Sequence, residues 1–159
     1  MIAPDAWVAP GARVLGEVHM ASRSSVFFGS LLDGTAAPVY LDPEANVQDN
    51  CVIQGTPGQP ARIGARVSVG HNARVIGAVV EERALIAIGA SVLAGAVVGT
   101  HAIVAANAIV PEGVQVPPRS LVIGNGRVIR GVSDAEIERI EHGADEYVRL
   151  STDYRTASS

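Results

Sequence analysis

An aliphatic residue returns every six positions along most of this chain. The series opens at Ile2, Val8, Val14, Met20, Val26 and Leu32, and resumes after three extra residues at Leu41, Val47 and Ile53. The stretch from Gly55 to Ala61 adds four more before Ile63, Val69 and Val75. One step then shortens to five, and Val80, Ile86, Val92, Val98, Val104, Val110, Val116 and Val122 follow without a break. Four residues after most of these stands a small or β-branched residue, as at Ala12, Ser24, Ala45, Cys51, Ala73, Ala90 and Ala108.

Six-residue spacing matches neither the 3.6-residue helix nor an ordinary alternating strand. It matches short strands joined by sharp corners, each turning one aliphatic side chain inward. A single hexapeptide cannot bury that side chain alone, but stacked coils give it like neighbours above and below. Each buried group then contributes about 1.5–3 kcal/mol, with adjacent coils about 4.8 Å apart. Aromatics are only 4% of the 159 residues, so the core must be built from Val, Ile, Leu and Ala. The small fifth residue lets each corner close, and Cys51 is read there as packing rather than as a nucleophile.

The repeat ends near Arg130 and gives way to GVSDAEIERIEHGADEYVRL. Ser133 and Glu136 form an S-x-x-E capping box, after which Ile137, Ile140, Ala144, Tyr147 and Val148 share one helical face. The expected organisation is a solenoid over 1–131, a helix over 132–152 packed on it, and a frayed polar tail over 153–159.

A net charge of −4 and a pI near 5.5 argue against nucleic acid or an anionic membrane as partner. The single cysteine excludes an internal disulfide and fits a reducing compartment. MIAPDAWVAP reads as no signal peptide, and no window approaches the roughly 18 apolar residues of a spanning helix. A soluble, cytoplasmic protein is expected.

The repeat also places outward side chains. Leu15, Asp33, Gln54, Ile76 and Leu93 each follow an inward aliphatic and form one column, polar only in its middle. His71, alone in VGHNARVIG, falls one coil beyond Asp49, about 4.8 Å away. A carboxylate beside an imidazole fixes its tautomer and raises its basicity, as general acid–base work near neutral pH requires.

ANVQDNCVIQGTPGQP, followed by RIGARVSVGHNARVIG, resembles the γ-class carbonic anhydrases, most closely their phenylacetate-degradation (PaaY-like) branch. The resemblance extends over essentially the whole chain, including IGNGRVIR. It implies an all-β fold, a left-handed parallel β-helix with a C-terminal α-helix, which is an exception to right-handed crossovers. It implies a homotrimer of three-sided prisms with a site at each seam. It further implies a zinc ion held by three histidines at positions 54, 71 and 76, two from one chain and one from its neighbour, and an Arg-Gly-Asp triplet at 33–35.

This chain carries Gln54, His71 and Ile76, and Asp33, Gly34 and Thr35. Catalytic zinc takes three nitrogen, sulfur or carboxylate-oxygen ligands plus a water. Ile76 has no donor atom and Gln54 offers only a neutral amide oxygen, while His19, His101 and His142 are out of register. No metal and no other cofactor is expected. The resulting expectation is a metal-independent acid–base enzyme of lyase, cyclase, isomerase or thioesterase type, acting on a small organic substrate between subunits. His71 would transfer the proton, Asp33 would serve as second acid or base, and Gln48, Asp49, Gln54 and Ile76 would line the pocket. Three alternatives stay open: a non-catalytic assembly or binding trimer in which Asp49 simply holds His71, a carbonic anhydrase or thioesterase with a metal site rebuilt around Asp33, and a hexapeptide acyltransferase.

Overall fold

The structure, a computed structural model, describes residues 1–157. The strands are β1 (Trp7–Val8), β2 (Arg13–Met20), β3 (Ser25–Val26), β4 (Leu31–Leu41), β5 (Asn46–Val47), β6 (Val52–Gln54), β7 (Ala61–Ile63), β8 (Ser68–Val69) and β9 (Arg74–Ile76). They continue as β10 (Val79–Val80), β11 (Leu85–Ile86), β12 (Ser91–Val92), β13 (Val97–Val98), β14 (Ile103–Val104), β15 (Ile109–Val110), β16 (Gln115–Val116), β17 (Ser120–Ile123) and β18 (Arg127–Gly131). One helix, α1 (Asp134–Ala157), follows.

Every third strand stacks on the same side of a left-handed parallel β-helix. The first face is β1, β3, β5, β8, β11, β14 and β17, closed at its last edge by antiparallel β18. The leading halves of β2 and β4 continue into β6, β9, β12 and β15 as the second face, and their trailing halves into β7, β10, β13 and β16 as the third. The register reproduces the sequence periodicity. Trp7 pairs with Ser25 and Ile103 with Leu121, while Asn46 pairs with Ser68 across the four added residues.

The inward series is fully buried from Met20 onward, in one continuous core. The first rungs differ: Ile2 is 46% exposed, and Val8 and Val14 are only partly covered. They lie at the open end of the stack, where no coil sits beneath them. The few aromatics lie outside the prism, with Trp7 and Phe27 packed on the first face against Tyr147 and Leu150.

Most corners bend through one residue of left-handed backbone. Between the second and third faces this is Gly77, Gly95 or Gly113, and between the first and second it is Asn50, Asn72 or Asn107 alongside glycines. Asparagine tolerates that region better than most residues. The third corner instead uses Arg23, Glu44, Arg66, Arg83, His101 and Arg119, with φ between 55° and 61°. Several of these side chains reach the helix. Arg66 binds Glu44, Glu141 (2.8 Å) and Asp145 (2.6 Å), Arg83 binds Glu141 (2.8 Å), and Arg119 binds Asp134.

The capping box forms: the Ser133 amide donates to Glu136 (2.8 Å), and the Glu136 amide donates to the Ser133 hydroxyl (3.2 Å). Helix α1 then runs along the stack and contacts β1, β3, β5 and β8. It continues to Ala157, five residues past the end expected at 152, because Tyr154 reaches Trp7 (5.4 Å between rings) and Phe28 (5.8 Å). Those ring contacts hold a turn whose polarity alone suggests fraying. Of the expected tail, residues 158 and 159 lie outside the described residues.

Candidate active site

Parallel pairing fixes the outward column on the second face. Leu15 pairs with Asp33, Asp33 with Gln54, and Gln54 with Ile76. The Gln54 Nε2 donates to Asp33 Oδ2 at 3.3 Å. Asp33 Oδ1 accepts from the Thr35 hydroxyl (2.6 Å) and the Thr35 amide (3.0 Å). The Thr35 hydroxyl, then its amide and more weakly Gln54, hold the Asp33 carboxyl below its ordinary range. Asp33 is therefore a carboxylate at neutral pH, placed to accept hydrogen bonds and present negative charge.

Gly34 has a backbone reason. A β-carbon there would lie 2.0 Å from the Glu17 carbonyl oxygen, so the close approach of β2 and β4 admits only glycine. Both insertions of the repeat, around Thr35 and from Gly55 to Ala61, fall at the corner beside Asp33 and Gln54 and thicken the rim of this column.

His71 and Asp49 stand on the corner between the first and second faces, just before the left-handed Asn72 and Asn50. The His71 Nδ1 lies 3.9 Å from Asp49 Oδ2, with side chains 41% and 43% exposed. Asp49 Oδ1 also accepts from the Phe28 amide at 3.2 Å, which anchors the carboxylate. The two side chains are thus close and open to solvent, with no hydrogen bond between them among the described residues. Within one chain, no hydrogen bond or ion pair joins them to Asp33 or Gln54 among the described residues.

Gln48 turns the other way. It is 8% exposed, donates to Asn46 Oδ1 at 3.2 Å, and lines a cleft beneath α1. Asn46 in turn donates to the Ser68 hydroxyl at 2.8 Å. Cys51 is buried and its Sγ donates to the Gly70 carbonyl (3.0 Å); burial pushes the thiol up to about 11. That is packing chemistry, not nucleophile chemistry.

Three residues near the site were not singled out in the sequence. Thr35 anchors Asp33, and the D-x-T spacing of a side-chain turn was its available signal. Tyr147 was read only as part of a helix face, yet burial, followed by the Asp49 charge, raises its phenol, so it stands near the corner. Arg74 shares the outer side of β9 with Ile76 and makes no ion pair among the described residues.

The three positions where the resemblance implies zinc ligands present an amide already donating to Asp33, an imidazole on a different corner, and a hydrocarbon. Within one protomer, no group of three or more His, Cys, Asp or Glu side chains is gathered among the described residues. This donor set does not fit a zinc ion, and no catalytic step is derived through one.

Six-residue rungs, one left-handed residue at most corners and a histidine at the seam of two faces define a hexapeptide-repeat β-helix protein. No protein-family profile matches the chain. It is 41% identical to a protein of Methanocaldococcus jannaschii named a probable carbonic anhydrase, over 95% of this chain and 96% of that one. It is 34% identical to the mitochondrial gamma carbonic anhydrase 1 of Arabidopsis thaliana over 92% of this chain, and spans 56% of that longer relative. A crystal structure of a Bacillus cereus protein named a putative acetyltransferase superposes with a TM-score of 0.96 at 29% identity, over 98% of this chain and 91% of that one. The chain belongs to the γ-class carbonic anhydrase family.

Proposed function

We propose that this protein is a homotrimeric, metal-independent acid–base enzyme in which His71 carries a proton to or from a small organic substrate at the seam between protomers. The observation that carries the reading is the His71–Asp49 pair, 3.9 Å apart and half exposed, in a family scaffold whose other two ligand positions hold Gln54 and Ile76. An imidazole beside a carboxylate suits proton transfer near neutral pH. Removing a proton next to a carbonyl, or activating water on a thioester, both fall within its reach.

The trimer is supported by how the three faces differ. Helix α1 covers the first face. The third carries Asp42, Arg62 and Glu81 beside Tyr40, Val79 and Val97, with Arg62 paired to Asp42 (2.8 Å), and is the more charged of the two uncovered faces at that level. The second presents Leu15, Leu31, Val52, Ile76, Leu93 and Ile109 outward, bordered by Phe28 (43% exposed) and Ile88 (53%) on the His71 corner. Such a strip and such a corner meeting head to tail close a three-fold ring. In that ring the Asp33–Gln54 column of one protomer faces His71 of the next. Ile76 and its apolar neighbours then give a carbon-rich wall, and Gln54 an amide for orienting the substrate.

The test joins solution mass, metal analysis and turnover. The protein is expected as a trimer without stoichiometric zinc. In a panel of acyl thioesters and enolisable small acids, His71→Ala is expected to lower kcat/KM by about 10²–10⁴-fold, with Asp33→Asn lowering it less. Full activity in both variants, or stoichiometric zinc that disappears with His71→Ala, would refute the reading.

A further inference from the structure

Between α1 and the first face lies a cleft of about 290 Å³, within one protomer and lined by neither His71 nor Asp49. Its walls are apolar: Leu85 and Ile103 from β11 and β14, Ile140 and the Tyr147 ring from the helix. Its floor is polar and mostly covered, with no side-chain nitrogen or oxygen both buried and unpartnered among the described residues. Gln48 and Ser68 are 8% and 5% exposed. The Gln48 amide nitrogen is committed to Asn46, and its Oε1 accepts nothing among the described residues. The Ser68 hydroxyl accepts from Asn46, which leaves its proton to donate. An acceptor and a donor thus face the same small space, the usual signature of a ligand pocket.

A second observation concerns Gly143, which lines the cleft in the middle of α1. Glycine weakens a helix interior relative to alanine, so it usually stands there for close packing. Here a β-carbon would meet nothing within 4 Å. The missing side chain leaves room that the protein itself does not use. At the cleft mouth, Glu136 is engaged by Arg130 (2.7 Å) and Ser133, whereas Arg139 makes no ion pair among the described residues.

We infer that this cleft binds a small carboxylic acid with an apolar body. The acyl chain or single ring lies against Leu85, Ile103 and Ile140 in the space opposite Gly143. Its carboxylate meets Arg139, and any polar group deeper in the molecule meets Gln48 and Ser68. The site depends neither on trimer formation nor on His71.

Hexanoate and benzoate are the probes, with hexan-1-ol as the uncharged counterpart, titrated into the whole protein by calorimetry and by amide chemical shifts. Saturable binding of an acid that shifts the Gly143 amide is expected. Gly143→Leu puts its β-carbon where nothing lies within 4 Å and removes a glycine from a helix interior, and it should abolish binding of all three. Arg139→Gln should weaken the acids by about tenfold, the scale of a lost charge-assisted bond, and leave hexan-1-ol unchanged. His71→Ala should bind as the wild type does. The inference is overturned if neither acid saturates in the millimolar range, if Gly143→Leu binds hexanoate undiminished, or if Gly143→Leu lowers the oligomeric mass, which would assign the cleft to a second copy of the chain.

Discussion

Replacing Arg66 by alanine removes the main tether between solenoid and helix. Its guanidinium, 18% exposed, donates to Glu44, to the Glu141 carboxylate (2.8 Å), to the Glu141 carbonyl (3.2 Å) and to Asp145. The Asp145 bond is at the solvent edge and is left out of the sum. A hydrogen bond to a charged group contributes about 1.5–3 kcal/mol. Here each carboxylate keeps a second arginine, Arg23 for Glu44 and Arg83 for Glu141, so neither is orphaned by the substitution. Two bonds at the lower limit give about 3 kcal/mol. Alanine also keeps the left-handed backbone, φ 57° at this corner, whereas glycine relieves it. Arg66→Gly should therefore recover about 1 kcal/mol relative to Arg66→Ala.

Urea unfolding followed by circular dichroism measures both variants. The sign of the pH dependence is set by the acids. Burial pushes Glu141 up, but Arg66 and Arg83 outweigh it and leave the carboxyl below its ordinary range, and Arg66 lowers Asp145 likewise. Carboxyls lowered by folding stabilise above their unfolded values, and that contribution is lost as pH falls through their folded ones. The gap between wild type and Arg66→Ala should be full at pH 7 and shrink below about pH 4. A gap under about 0.5 kcal/mol at pH 7, the scale of an ordinary surface substitution, would refute the tether.

Three shorter tests address other levels. Ile88→Asp, on the corner next to His71, should shift the solution mass from trimer to monomer while leaving the circular dichroism spectrum intact; an unchanged mass would move the interface elsewhere. Cys51, its thiol raised to about 11 by burial, should resist alkylation at pH 8 in the folded protein and react readily in denaturant. Gly34→Ala forces a β-carbon to within 2.0 Å of the Glu17 carbonyl and should prevent soluble expression or cost several kcal/mol, as overpacking against backbone does.

Much of the fold was legible because the contacts that make it are periodic. Val47 meets Val69 and Ile86 meets Val104 for the same reason that they recur in sequence, and the insertions simply lengthen individual coils. The alignment of Asp33, Gln54 and Ile76, and the closeness of Asp49 to His71, followed from counting residues. The Thr35 bond to Asp33 was not counted, since it lies in an insertion where the period lapses. Gln48 shows the other limit: its position on the first face was readable, but its burial depended on what covers that face.

The repeat therefore dictated which side chains point inward and how the coils stack, and the Ser133–Glu136 capping box dictated where α1 begins, because each of those depends on neighbouring residues or neighbouring coils. Folding decided where α1 comes to rest, through contacts such as Arg66 with Glu141, 75 residues apart. It also turned Gln48 and Ser68 into the floor of a cleft and kept Tyr154 helical against Trp7. The period sets which outward side chains share a column, as Asp33 and Gln54 do, but what packs over a face is settled only by the long-range docking of one element on another.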